Sequence, residues 1–193
     1  MVRAKRNRRA RVRNSVAAAA VGALAAGIVS IPAAPANAAD TITAADQAYF
    51  AYYGLDRARA KGYTGGGVTI AMIDGKVDTS VPELAGADIT VKIPCTINSS
   101  PAVATHGTGV ASILVSTDYG VAPKASLLAY QGTFGADGDQ GGSDCDDPSG
   151  VSKDSQPWLL NQAMNDGAQI INVSASTPNE YKELKWVTAR AIA

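Results

Sequence analysis

Short apolar runs alternate along the chain with segments in which apolar residues recur three or four positions apart. The short runs are rich in β-branched residues, which is typical of buried strands, whereas the longer periodic segments are typical of helices. We predict strands at 68–73, 89–93, 126–130 and 169–174, and helices at 46–62, 106–116, 155–166 and 179–193.

The order of these elements predicts the fold class. Buried strands that alternate with helices indicate an α/β protein built on a parallel sheet. Functional groups in such sheets collect at the carboxyl ends of the strands. Asp74 comes directly after the first predicted strand, and Ser174, Ala175 and Ser176 close the fourth and follow it. These residues are therefore candidates for a functional site.

The amino-terminal segment has a pattern of its own. Seven basic residues and no acidic ones lie within the first fourteen positions, an apolar run follows at 16–31, and Ala36-Asn37-Ala38 is a small-residue cleavage pattern. Together these features predict a secretory signal peptide over 1–38, followed by a short linker at 39–48. A membrane anchor would usually need an apolar run of about 20 residues, and the basic head alone would also fit a nucleic-acid-binding arm. The combination favours a secreted protein without a stable membrane anchor.

Loss of the signal peptide changes the charge of the chain. The formal net charge over the whole sequence is +0, but removing 1–38 leaves 17 acidic and 10 basic residues, a charge of −7. An acidic domain lacks the basic surface that nucleic-acid binding requires. We therefore predict no nucleic-acid partner.

Both cysteines, Cys95 and Cys145, follow the predicted cleavage site. An exported chain meets an oxidising compartment, so a disulfide between them is the favoured interpretation. Two separate thiols are the alternative. The bond would join the region after the second predicted strand to a loop at 134–150 that is rich in glycine and aspartate.

Asp74 and His106 have the chemistry of an acid–base pair. His106 is the only histidine in the chain. A histidine that takes a proton from a hydroxyl needs a partner that fixes its tautomer, usually a buried carboxylate. Asp74 follows a wholly apolar run, where an unpaired charge would be costly. From the residues alone, a structural histidine at a helix start and an aspartate that only forms a turn remain open alternatives.

Four segments of the chain, in order and at about the expected spacing, resemble blocks of the subtilisin-like serine proteases, also called subtilases or peptidase family S8. The first two resemble the family's aspartate and histidine blocks, the third resembles the segment that follows the histidine block, and the fourth resembles the strand that lines the substrate cleft. They are VTIAMID at 68–74, HGTGVAS at 106–112, GVAPKASLLA at 120–129 and IINVS at 170–174.

This resemblance implies a fold and a set of roles. It implies that 49–193 is the amino-terminal part of a peptidase domain with a three-layer, parallel-sheet fold that is incomplete here. His106 would be the general base and later the general acid, and Asp74 would orient it. The segment from Ser174 through Ala175 to Ser176 would pair with a polypeptide substrate as an added strand.

The chain also departs from the family pattern. Gly75-Lys76 stands where the family usually has Thr-Gly, with Lys76 placing a cation near the pair, and Gly109 stands where a second histidine is usual. No segment matches the oxyanion asparagine or the Gly-Thr-Ser nucleophile block of the family. We therefore predict a secreted serine endopeptidase whose serine is missing from this chain, which by itself is inactive. A degenerate or truncated protease that only binds peptides is the alternative.

Two other binding functions fit the sequence less well. Calcium favours flexible loops rich in carboxylates, but the acidic loop lacks the spacing of an EF-hand, and a solvated acidic loop is the simpler interpretation. We predict no cofactor and no metal, with calcium left open. A dinucleotide-binding domain fails because glycines 65–67 precede a strand instead of following one. The acidic residues of the loop are Asp137, Asp139, Asp144, Asp146 and Asp147.

Overall fold

The computed structural model describes residues 42–133, 140–174 and 182–192. The predicted signal peptide at 1–38, the first residues of the predicted linker, and Ala175 and Ser176 lie outside these described residues, as do Asp137 and Asp139.

Four parallel strands form the central sheet. They are β1 Thr69–Asp74, β2 Asp88–Lys92, β4 Ser126–Gln131 and β6 Ile170–Val173. Their spatial order is β2-β4-β1-β6, with β1 in the interior of the sheet. The four predicted strands are confirmed, each with bounds within two residues of those expected. A separate antiparallel pair consists of β3 Ile97–Asn98 and β5 Gln140–Gly141.

Helices cover both faces of this sheet and complete a three-layer α/β arrangement. Side chains alternate along β1, so that Ile70 and Met72 pack beneath one layer and Ala71 and Ile73 beneath the other. Full burial of an isoleucine or methionine side chain contributes about 1.5–3 kcal/mol. The helices are α1 Ala48–Tyr52, α2 Leu55–Ala60, α3 Pro101–Val115, α4 Gln156–Asn165 and α5 Lys182–Ile192, with α3 on the first face and α4 and α5 on the second.

The helix predicted at 46–62 is wrong as a single element. It is two short helices, α1 and α2, because Gly54 adopts a left-handed conformation with φ 64° between them. Glycine enters this region at little cost, whereas a helix cannot continue through it. Periodicity alone did not reveal this break.

The helix that carries His106 begins earlier than predicted. We expected it to start at His106, but α3 starts at Pro101, so His106 lies in its second turn. The Ser100 side chain accepts a hydrogen bond from the N–H of Val103 at 3.3 Å, and proline follows at the first helical position. Both features are favourable helix starts.

Removing the cap of α3 tests the importance of this start. Ser100→Ala is expected to lower the free energy of unfolding by about 1 kcal/mol, because the N–H of Val103 loses its acceptor. Urea denaturation followed by circular dichroism measures the change. An unchanged midpoint and slope would show that the cap contributes nothing.

None of the described helices has the length and apolar character that crossing a membrane requires.

Candidate active site

Asp74 and His106 meet at the carboxyl edge of the sheet. Asp74 is the last residue of β1, and its Oδ1 lies 2.8 Å from Nδ1 of His106. Since an ionised carboxylate can only accept, Nδ1 is the protonated nitrogen and Nε2 is left free to take a proton. The Asp74 side chain is 2% exposed, whereas that of His106 is 52% exposed. The pair therefore has a buried acid and an accessible base.

The two oxygen atoms of the Asp74 carboxylate differ in their hydrogen bonds. Oδ1 also accepts the N–H of Gly75 at 2.7 Å, whereas Oδ2 is buried and has no hydrogen-bond partner among the described residues. A buried polar atom without a partner typically costs about 1–3 kcal/mol. The buried Asp74 carboxylate therefore costs stability, and residues that cost stability are common at functional sites.

Two glycines let α3 lie directly against the loop after β1. A Cβ atom on Gly107 would lie 2.6 Å from the carbonyl oxygen of Lys76 and 2.8 Å from that of Gly75. A Cβ atom on Gly75 would overlap Cγ1 of Val103. This close approach brings the imidazole to the carboxylate. It also gives a steric reason for glycine at position 75, where the family that the sequence resembles usually has threonine.

Lys76 is exposed, and its charge acts on a neighbouring acid. The pKa of Asp78 lies below its ordinary value, mainly because the Ser80 hydroxyl and N–H both bind its carboxylate, with a smaller effect from the Lys76 ammonium. The cation beside the site thus faces solvent and a second carboxylate.

Ser174 follows the last residue of β6. Its side chain is exposed, and its Oγ donates to Oδ1 of Asn172 at 2.9 Å. Because β6 pairs in parallel with β1, Ser174 lies at the same edge of the sheet as Asp74. The structure therefore brings Ser174, Asp74 and His106 to one edge, while Ala175 and Ser176 lie outside the described residues.

Sequence reasoning missed two polar residues beneath this edge. Gln131 ends β4 opposite Asp74, is 4% exposed, and donates through Nε2 to Oγ of Ser99 at 2.8 Å. Ser99 directly precedes the cap of α3. A polar residue at the end of an apolar strand was the available signal, and it is the same signal that identified Asp74.

The two cysteines are bonded to each other in the structure. The Sγ atoms of Cys95 and Cys145 are 2.07 Å apart. These sulfur atoms lie close to the carboxylate of Asp154, and the three residues form the one metal-compatible group among the described positions. Bonded sulfurs are not thiolates, and thiolate is the form of cysteine that binds metals. This group therefore has no thiolate to offer a metal.

Donors from the protein bind two of the described carboxylates of the acidic loop. Oδ2 of Asp144 accepts the N–H and hydroxyl of Thr96, and Oδ1 of Asp147 accepts hydrogen bonds from Ser149 and Val151. These contacts hold the pKa of both carboxyls below the ordinary value, led by the Thr96 N–H for Asp144 and the Ser149 hydroxyl for Asp147. The expectation of a solvated acidic loop without a metal, with calcium left open, stays a prediction.

The family assignment follows from comparison with known proteins. The sequence pattern of the Subtilase family matches residues 65–192, about two thirds of the chain. The chain belongs to the subtilase family. The match includes Asp74, His106 and Ser174.

Two known subtilases show how similar this chain is in sequence to other members of the family. Subtilisin E of Bacillus subtilis strain 168 is 29% identical over 154 residues, which cover 73% of this chain and 36% of that protein. The minor extracellular protease Vpr of the same organism is 30% identical over 155 residues, 73% of this chain and 18% of Vpr. The chain thus spans about a third of the length of subtilisin E.

Solved subtilase structures share the fold. The Prenylagaramide maturation protease PagA matches with a TM-score of 0.50 and 28% identity over 70% of this chain and 46% of PagA. The serine protease MycP1, described as an essential component of the type VII (ESX-1) secretion system, matches with a TM-score of 0.51 and 24% identity over 74% of this chain and 43% of MycP1. The predicted three-layer subtilisin-like fold is confirmed.

Proposed function

We propose that this chain supplies the general base and its orienting carboxylate to a secreted serine endopeptidase. The observation that carries the proposal is the 2.8 Å contact between Asp74 Oδ1 and His106 Nδ1, with the acid buried and the imidazole accessible. In such an arrangement the histidine takes the proton of a serine hydroxyl as it attacks the peptide carbonyl, and then donates it to the leaving amine. The carboxylate stabilises the imidazolium between the two steps.

Two serines near the pair are unsuited to the role of nucleophile. Ser112 lies in the same helix as His106, is 5% exposed, and donates to the carbonyl oxygen of Thr108. Ser174 donates to Asn172 and corresponds by resemblance to a cleft residue. We therefore propose that the nucleophile and the oxyanion-binding side chain come from sequence that this chain does not contain.

The proposed substrate is an extended polypeptide. Backbone pairing at Ser174 would hold it as an added strand, a mode of recognition led by main-chain hydrogen bonds. A pocket with a volume of about 840 Å³ is lined in part by Thr133, which lies just after the carboxyl end of β4. Its walls include Trp158, Leu184 and Val187, an apolar lining suited to a large substrate side chain.

Secretion is part of the proposal. It is supported by the basic and apolar pattern at 1–38 and by a disulfide, which suits an oxidising compartment. Mass spectrometry of the amino terminus of the protein in the culture medium tests this proposal. We expect to find the chain cut after Ala38.

An activity-based label tests the proposed division of roles. The 193-residue chain, treated with a serine-directed fluorophosphonate and assayed on a general protein substrate, is expected to show neither labelling nor inhibitor-sensitive hydrolysis. A product extended by the downstream coding sequence is expected to show both. Labelling of the short chain would contradict our claim about the nucleophile, and an extended product that binds peptides without cleaving them would favour a degenerate, peptide-binding protein.

A further inference from the structure

The disulfide is connected to the catalytic-site helix by a very short segment. Only residues 96–99 separate Cys95 from Ser100, the cap of α3. His106 lies in the second turn of that helix. A displacement of the segment 95–100 therefore acts directly on the part of α3 that carries the imidazole.

Without the disulfide, this segment is weakly held on its outer side. The pairing of β3 with β5 involves only two residues in each strand. Thr96 adds hydrogen bonds to Asp144 at 3.0 and 3.1 Å and accepts the N–H of Gly142 at 2.7 Å. A two-stranded ribbon of this length is not stable by itself in water. The covalent bond is thus the strongest link between the segment 95–100 and the loop at 140–145.

On its inner side the segment is tied to the sheet. Gln131 Nε2 donates to Ser99 Oγ at 2.8 Å, and Gln131 lies opposite Asp74 in the register of β4 and β1. The carboxylate is positioned by the sheet and the imidazole by α3. Ser99 is therefore a direct bridge between the two supports of the pair.

We propose that the Cys95–Cys145 disulfide is a redox-sensitive device that keeps His106 on Asp74. A dithiol reductant would transfer two electrons and two protons to the two sulfurs, leaving two cysteine thiols and an oxidised dithiol. Both cysteines are buried, at 7% and 2% exposure, so the segment 95–100 and the loop at Cys145 must separate locally before the reductant reaches them. The reduced form then loses the restraint on 95–100 and the contact of Nδ1 with Oδ1 opens more often. Its consequence for activity rests on the proposed function, but the contact itself does not.

The single histidine makes the contact directly measurable. The proton on Nδ1 of His106 gives one downfield NMR signal in the full chain, and its exchange with water reports the opening of the contact. In the variant Cys95→Ala/Cys145→Ala, we expect exchange about tenfold faster than in the oxidised chain, because local opening is no longer limited by the bond. Ser99→Ala is expected to raise the rate in the same direction, and Ser99→Thr, which keeps the hydroxyl, to restore it.

Leu160→Ala is the matched control, since Leu160 packs on the opposite face of the sheet from α3. It should lower global stability and leave the exchange rate unchanged. Faster exchange in the cysteine and Ser99→Ala variants, but not in Leu160→Ala, supports the proposal. Unchanged exchange in the cysteine variant overturns it, and if that variant fails to fold, unchanged exchange in Ser99→Ala does so. Failure of the proposed function would appear only in the activity assay.

Discussion

Asp74→Asn is expected to lower the kcat of the product that carries a nucleophile about ten-thousand-fold, with little change in KM. Asparagine is nearly the same size as aspartate, so β1 and its packing are retained. However, an amide nitrogen turned towards Nδ1 donates where the carboxylate accepted, and it favours the wrong tautomer of His106. The neutral amide also gives no charge to stabilise the imidazolium. Steady-state kinetics on a peptide substrate measures the loss.

The same substitution has a readout that needs no nucleophile. In the 193-residue chain, the downfield proton of His106 should disappear from the spectrum, because the carboxylate that holds it is gone. Asp78→Asn is the control, since Asp78 is exposed in the following loop and its carboxylate contacts Ser80. Retention of the signal in Asp74→Asn would show that the contact is not what fixes the imidazole.

Gly107→Ala is expected to lower the free energy of unfolding by about 1–2 kcal/mol. Alanine normally stabilises a helix interior relative to glycine, by about 0.5–1 kcal/mol. Here its methyl group would lie 2.6 and 2.8 Å from two backbone oxygens of the loop after β1. Forced expansion of such a contact usually costs about 1–3 kcal/mol, which outweighs the helical gain. Urea denaturation measures the difference, and the His106 proton should exchange faster because α3 moves away from Asp74.

Gly109→Ala is the matched control in the same helix. A Cβ atom at position 109 meets no atom within 4 Å, so only the helical preference remains. We expect this variant to be more stable than the native chain by about 0.5–1 kcal/mol. Opposite signs at two glycines only two residues apart would show that the close approach of α3 to the loop is specific to Gly107. Equal effects would contradict that packing.

The sequence was most informative where a residue type broke a uniform pattern. A charge after the apolar run of β1 and a single histidine made Asp74 and His106 candidates, and the resemblance to the subtilases then implied their roles. The start of α3 could not be obtained in the same way, because glycines near His106 resemble a helix boundary and the true start depends on the Ser100 cap. The bridge from Gln131 to Ser99 joins residues 32 positions apart, and such a contact follows from the packing of α3 and not from local pattern.

The break at Gly54 has a similar explanation. Apolar and aromatic residues recur with helical spacing on both sides of it, so periodicity predicts one helix. A left-handed glycine ends a helix whatever the spacing of its neighbours. Local backbone conformation, which side-chain patterning does not report, decided this part of the fold.

The position of β1 inside the sheet has a consequence for how the chain acquires its structure. Thr69 pairs with Ser126 and Ile70 with Ile170. The first strand to be synthesised therefore stays unpaired until β4 and β6 have left the ribosome. At about 5–20 residues per second, the last of these partners appears several seconds after β1. In the central sheet β1 pairs with β4 and β6 and not with β2, the strand that follows it in the chain, and such non-local pairing folds slowly. The late formation of the sheet is compatible with the proposed secretion, because an export apparatus can take up a chain that is still unfolded.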